Sequence, residues 1–161
     1  MTWRDAGIEG PVEGLGERAV AEQQAIFRNT FVESLGVKIL EAKPGYALAT
    51  LDVGPHFLHP GGFAHGGALA SLGDTVAAWA TFPALKQGDI HTTIEFKANF
   101  LKAVSQGTLR AEAKAAHIGR RTIVLDVRIT DERGRLICMM TVTQAVVPLQ
   151  EARPDQAGDK P

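Results

Sequence analysis

The sequence predicts an α+β domain in which one curved antiparallel sheet wraps a single buried helix, and three observations carry that expectation. The helix-length run from Ala68 to Phe82 is apolar nearly all round, so other elements must surround it. Ahead of it, "VKILEAKPGYALATLDVG" holds two alternating runs about Pro44-Gly45, a turn signal, and reads as a two-stranded hairpin. After it, "HTTIEFKANFLKAV", "GTLRAEAKAAHIG", "RRTIVLDVRITDE" and "RLICMMTVTQAVV" each reach strand length, with glycine-bearing breaks at Gly107, Gly119 and Gly134. These four runs read as an antiparallel meander. Two strands, a helix and four strands bury a helix only if the sheet curves around it.

The remaining elements follow in chain order. Residues 1–16 carry glycines and a proline without periodicity, and residues 150–161 are polar with two prolines, so both ends are expected to fray around one domain spanning 17–149. "RAVAEQQAIFRNTFVESLG" places Val20, Ile26, Phe27, Phe31 and Leu35 at helical spacing before Gly36, which predicts an extra N-terminal helix with a glycine stop. On the central helix, Leu69, Leu72, Val76 and Trp79 mark one side. Gly67, Ala70, Ser71, Asp74, Ala77 and Ala78 mark the other.

Composition narrows the function classes. In 161 residues with 45% hydrophobic content, charges nearly cancel to a net of -1 and no Lys/Arg run occurs, which argues against a nucleic-acid partner. No basic start with an apolar stretch and no run of eighteen apolar residues is present, so neither export nor membrane insertion is signalled, and the cytoplasm is the expected compartment. Cys138, the sole cysteine, sits in "LICMMTV" and reads as a small buried apolar residue.

The chemistry concentrates in "HPGGFAHGGALASLGDTVAAWA", residues 59–80. Asp74 follows Gly67 by seven residues and so shares its helix face, two turns on. That face has little side-chain bulk, which suits a slim substrate or another backbone. A core aspartate bonded to a neighbouring strand, or across a dimer interface, is the competing reading. "HGGA" forms the start of the helix, where the first amides lack intrahelical partners and the macrodipole is positive. Glycines at 66 and 67 let a ligand atom reach the backbone N–H, as an oxyanion hole for acyl transfer requires.

From Leu35 to Val147 the chain resembles the hotdog-fold acyl-CoA thioesterases of the phenylacetate-pathway (PaaI-like) type. The resemblance rests on "LGVKILEAKPGYALATLDVGPHFLHPGGFAHGGALASLGD", "TTIEFKANFLKAV", "IGRRT" and "TDERGRLICMMTVT", in family order and spacing. It implies that Asp74 acts as nucleophile or general base and that the Gly66 N–H polarises the thioester carbonyl. It also implies that His65 shapes the helix start and that a hydroxyl on the next strand assists the attacking water. Thr93 fits that hydroxyl as the residue preceding Glu95 on its strand face, with Thr92 the alternative. The implied assembly is a homodimer or homotetramer with each site built across two chains. Coenzyme A enters as part of the substrate, and no separate cofactor or metal is implied.

One position departs from the family. Six residues before His65, where an asparagine or glutamine is usual, stands His59, whose neutral imidazole offers one donor and one acceptor. His56 and His59 form a potential metal pair but lack a clear third ligand. His91 and His117 read as ordinary strand or loop histidines. Arg120 and Arg121, at an expected strand start, are candidates for the phosphates of coenzyme A, with a solvated turn as the competing reading. Side-chain alternation along a strand would let only one of them touch the ligand. Thioester hydrolysis is the favoured function. A non-catalytic acyl-CoA-binding module and a hydratase or dehydratase are the alternatives, and the acyl group is open.

Overall fold

The computed structural model describes residues 27–148. Its elements are α1 (Phe31–Leu35), β1 (Lys38–Lys43), β2 (Tyr46–Val53), α2 (Gly66–Thr81), β3 (Asp89–Phe100), β4 (Gly107–Ile118), β5 (Thr122–Thr130) and β6 (Leu136–Pro148), with short 3-10 turns at Pro55–Phe57 and Phe82–Ala84. One antiparallel sheet in the order β1-β2-β4-β5-β6-β3 packs against α2, which touches every strand. This is the expected α+β arrangement.

The extra N-terminal helix is present but short. Asn29 has φ 60°, Thr30 caps α1 by accepting from the Glu33 N–H, and Glu33 Oε2 accepts in return from the Asn29 N–H at 2.6 Å. This reciprocal cap starts α1 at Phe31, so the helical spacing does not run unbroken through residues 27–36. Val20 and Ile26 lie outside the described residues. Phe27 turns inward ahead of the cap, its ring edge-on to Trp79 at 5.6 Å, and ties this segment to α2.

The hairpin forms as its turn signal predicts. Gly45 adopts φ 75°, and its backbone also binds the end of α2 (Gly45 N to Ala80 O, 2.9 Å) and β4 (Ala115 N to Gly45 O, 2.7 Å). The four later strands are not a simple meander. β4, β5 and β6 are consecutive neighbours, whereas β3 lies at the far edge beside β6. Length accounts for the difference. A sixteen-residue helix extends about 24 Å, comparable to the roughly 19 Å of four strand spacings that separate β2 from β3. Helix α2 thus carries the chain across the sheet before β3 begins, and residues 101–106 return it to β4 beside β2.

Leu69, Leu72, Val76, Ala77, Trp79 and Ala80 form the buried stripe of α2. Ala77 is fully buried with Val76, not on the more open face with Asp74. Opposite lie paired small residues, Ala47 with Ala113 and Ala49 with Ala111, flanked by Leu109, Leu125 and Val127. The alanines allow a close helix approach, and each large aliphatic side chain removed from water there contributes about 1.5–3 kcal/mol. Cys138 is buried in this layer, and burial pushes its thiol up to about 11. Among the described residues, no helix is long and apolar enough to cross a membrane.

Gly73 belongs to the same contact: a Cβ there would collide with the sulfur of Met140 on β6. Gly73→Ala is expected to cost about 1–3 kcal/mol by overpacking. In urea denaturation, Gly73→Ala combined with Met140→Ala should lose less than the sum of the single losses, because the smaller side chain removes the collision.

Candidate active site

The loop from Gly54 to His65 prepares the start of α2. Leu58 bridges Ala64, and the Gly62 N–H returns to the His59 carbonyl at 2.8 Å, closing a tight bend. Inside it, His59 Nδ1 accepts the Gly61 N–H at 2.9 Å. Six residues on, His65 repeats the device: as N-cap of α2, its Nδ1 accepts the Gly67 N–H at 2.9 Å. A nitrogen that accepts a hydrogen bond carries no proton, so in both neutral rings the proton sits on Nε2. His59 and His65 therefore each offer an N–H outward, as an asparagine amide would.

Two glycines have steric reasons for being at this helix start. A Cβ on Gly67 would crowd the His65 ring, 3.0 Å from Nδ1, and one on Gly66 would lie 3.1 Å from the Phe100 ring. Gly66 is the first residue of α2, so its N–H has no intrahelical acceptor. Gly67 is exposed beside it.

Asp74 lies mid-helix and is half-buried rather than enclosed in the core. Its Oδ1 accepts the Thr93 hydroxyl at 2.8 Å. Thr93, not Thr92, is on the helix side of β3; Thr92 is exposed. The strand-face argument from Glu95 does not hold, because a register shift between Thr93 and Glu95 pairs Thr93 with Gln144 and Glu95 with Thr143. Successive positions on β6 face opposite ways, so Thr93 and Glu95 do too.

Behind Thr93 the hydrogen bonds continue. Gln144 Nε2 donates to Thr93 Oγ1 at 3.0 Å, and Gln144 Oε1 meets His91 Nδ1 at 3.2 Å. Gln144 is fully buried, and burial pushes His91 below its ordinary range, opposed by the Gln144 bond and the Asp74 charge. Neither residue stood out as functional in the sequence; His91, read there as an ordinary strand or loop histidine, lies on β3. The available signal was Gln144 itself, the polar member of the inward series Met140, Val142, Gln144.

The other candidates lie elsewhere. Arg120 and Arg121 are both exposed in the turn between β4 and β5, where the Val146 N–H holds the Arg121 carbonyl at 2.8 Å. Neither is on a strand, so alternation does not limit ligand contact to one of them. The His56 ring lies 4.1 Å from the Phe57 ring at a tilt of 42°, and His117 is exposed on β4. Among the described residues, no group of three or more His, Cys, Asp or Glu side chains is placed to hold a metal ion.

Gly66 and Asp74 share one helix, and eight residues of rise separate them by about 12 Å. An oxyanion donor must lie about 3 Å from the carbonyl oxygen, and an attacking atom about 3–3.5 Å from the carbon. The backbone rise between the two residues is longer than those two reaches together.

Residues 61–138 match the Thioesterase superfamily. A 1,4-dihydroxy-2-naphthoyl-CoA hydrolase from Listeria monocytogenes is 32% identical over 114 residues, 71% of this chain and 93% of that protein. The crystal structure of thioesterase HI1161 from Haemophilus influenzae is similar at a TM-score of 0.79 and 25% identity, over 88% of this chain and 96% of its own. The Escherichia coli PaaI protein from the phenylacetic acid degradation operon matches at a TM-score of 0.70 and 26% identity, over 78% and 90%. With this sheet wrapped on one helix, and with these relatives, the chain belongs to the thioesterase superfamily, the hotdog-fold enzymes that hydrolyse thioesters.

Proposed function

We propose that the protein hydrolyses an acyl-CoA thioester to the free acid and coenzyme A. Asp74 serves as nucleophile or general base, and the Gly66 N–H polarises the carbonyl. The observation that carries the reading is the half-buried Asp74, held by Thr93 on the small-residue face of a helix whose first N–H is unspent. The Listeria relative, by its name, acts on a coenzyme A ester, which supports the same substrate class here.

The roughly 12 Å of helix rise between Gly66 and Asp74 supports a site shared by two chains, in which Asp74 of one faces the substrate with Gly66 of its partner. The free edge of β3 supports that pairing. Among the described residues it bonds only to β6, and it exposes Ile94, Phe96 and Phe100 at 58%, 46% and 54%. Such a row of unpaired backbone groups with apolar side chains favours a second strand. A homodimer, or a tetramer of two such pairs, completes the site. His65 holds the helix start, and His59 presents Nε2–H to the thioester or the water. Gly67 leaves room for the carbonyl, and Arg120 and Arg121 offer guanidinium groups to the nucleotide phosphates. No metal or separate cofactor takes part.

A panel of acyl-CoA esters assayed for thiol release tests the reading; no release from any ester would overturn it. With a responsive ester, Asp74→Asn should lower kcat/KM by about a hundredfold or more while the protein stays folded, since the amide still accepts from Thr93. A wild-type rate would return Asp74 to a structural role. Repeating the panel with pantetheine thioesters examines the arginines: Arg→Ala at a phosphate-binding position should raise KM for the coenzyme A ester alone.

His59 Nδ1 holds the Gly61 N–H and so fixes the ring in the loop before α2. With a responsive ester, His59→Ala should lower kcat/KM because the hydrogen-bond partner is deleted, whereas His59→Asn should keep it within about threefold. Equal kcat/KM in the parent and both variants would place His59 outside the reaction.

A further inference from the structure

We propose that Gln144 and His91 are positioning residues: they fix the direction in which the Thr93 hydroxyl donates, and through it select which oxygen of Asp74 reacts. The inference rests on the reading of Asp74 as the reacting carboxylate.

A threonine hydroxyl has one proton and two lone pairs, and Thr93 sits between a carboxylate oxygen at 2.8 Å and the Gln144 amide at 3.0 Å. The direction of donation depends on which end of that amide it meets. Facing Nε2, which has only N–H donors, the hydroxyl must accept there and send its proton to Asp74 Oδ1. Facing Oε1, it would be drawn to donate to the amide, and Asp74 would meet lone pairs. A glutamine alone can adopt either state by a half-turn of its amide.

His91 removes that freedom. Its Nδ1 lies 3.2 Å from Gln144 Oε1, and with the proton on Nδ1 it donates to that oxygen and leaves Nε2 turned to Thr93. The strand register places these groups in line. His91 precedes Thr93 by two residues on β3 and shares its face, and Thr93 pairs directly with Gln144 across the ladder. Gln144 is fully buried, so solvent does not compete for the amide. All donors in the series, His91 Nδ1–H, Gln144 Nε2–H and Thr93 Oγ1–H, then point toward Asp74.

The result at the carboxylate is asymmetric. Oδ1 is held by Thr93, while Oδ2 has no protein partner among the described residues. Oδ2 is the oxygen left to take a proton from water or to attack the thioester carbon. An apolar side chain at 144 would suit the packing of Met140 and Val142 equally well. A buried amide in that series is stabilised by its bonds to Thr93 and His91, and those bonds carry orientation.

Two measurements on the full chain test this. Long-range proton–nitrogen NMR of His91 should show the neutral ring protonated at Nδ1. A neutral ring protonated at Nε2 would mean that the amide is reversed, and the proposal would fall. That readout needs no substrate, so it stands or falls apart from the hydrolysis reading.

The second measurement uses the responsive acyl-CoA ester. Gln144→Glu keeps the side-chain size and the acceptor for His91, but offers Thr93 an acceptor and draws its proton away from Asp74. We expect kcat to fall about 10- to 100-fold with KM within about threefold, as for loss of one oriented hydrogen bond at the reacting group. His91→Asn places an amide N–H near the former Nδ1 and should restore kcat to within about threefold of the parent, whereas His91→Leu should fall as Gln144→Glu does. A purely structural role would lower the melting temperature and the folded fraction while leaving kcat per folded molecule unchanged. Unchanged kcat in Gln144→Glu, or equal losses in the two His91 variants, would overturn the proposal. Should the parent itself release no thiol from any ester, the hydrolysis reading fails, and the NMR result still decides the direction of the series.

Discussion

The rest of the molecule depends on how closely α2 can approach the sheet. Alanines 47, 49, 111 and 113 meet in facing pairs on β2 and β4, and Gly73 gives way to Met140 on β6. These small residues let one helix share a core with all six strands. The same approach places Asp74 within hydrogen-bond reach of the edge strand β3. Packing and chemistry therefore use opposite faces of one rigid rod, and a shift of the rod by an ångström would disturb both.

Rigidity also underlies the proposal of a site shared by two chains. Positions on one helix cannot change their spacing along its axis, so Gly66 and Asp74 stay separated by about 12 Å of helix rise. In the proposed reaction a second helix brings the donor to the base. The exposed apolar edge of β3 is where such a partner would join. Assembly in this reading is part of the active site, not an addition to it.

Around that helix, polar groups are held in defined directions by short-range bonds. Two histidines, His59 and His65, each bend onto the N–H of a glycine two residues later, which decides the position of the ring proton. Phe100 closes on Gly66 from β3, so the donor at the helix start has an aromatic neighbour. On the far side, the buried amide of Gln144 has partners at both ends. In a low-dielectric setting such orientation is worth more than in water, because solvent does not reorganise against it.

Much of this was legible in the amino-acid order, because it is encoded over short distances. Periodicity marked the buried helix, Pro44-Gly45 marked the hairpin, and the run from His65 to Asp74 marked a helix that carries a carboxylate two turns from a glycine-bearing N-terminus. Neighbours far apart in the chain were a different matter. The place of β3 beside β6 depends on how far α2 travels before the chain turns, and the break at Thr30 on a local cap that helical spacing does not register. The turn holding Arg120 and Arg121 depends on where two strands stop pairing, and the face opposed to Thr93 on a register shift one residue later. Gln144 and His91 are 53 residues apart, and only the β3–β6 ladder brings them together. Alternation can show that a polar residue faces inward, but its partner is chosen by tertiary pairing, since a hydrogen bond needs two groups in one place and the sequence specifies them separately.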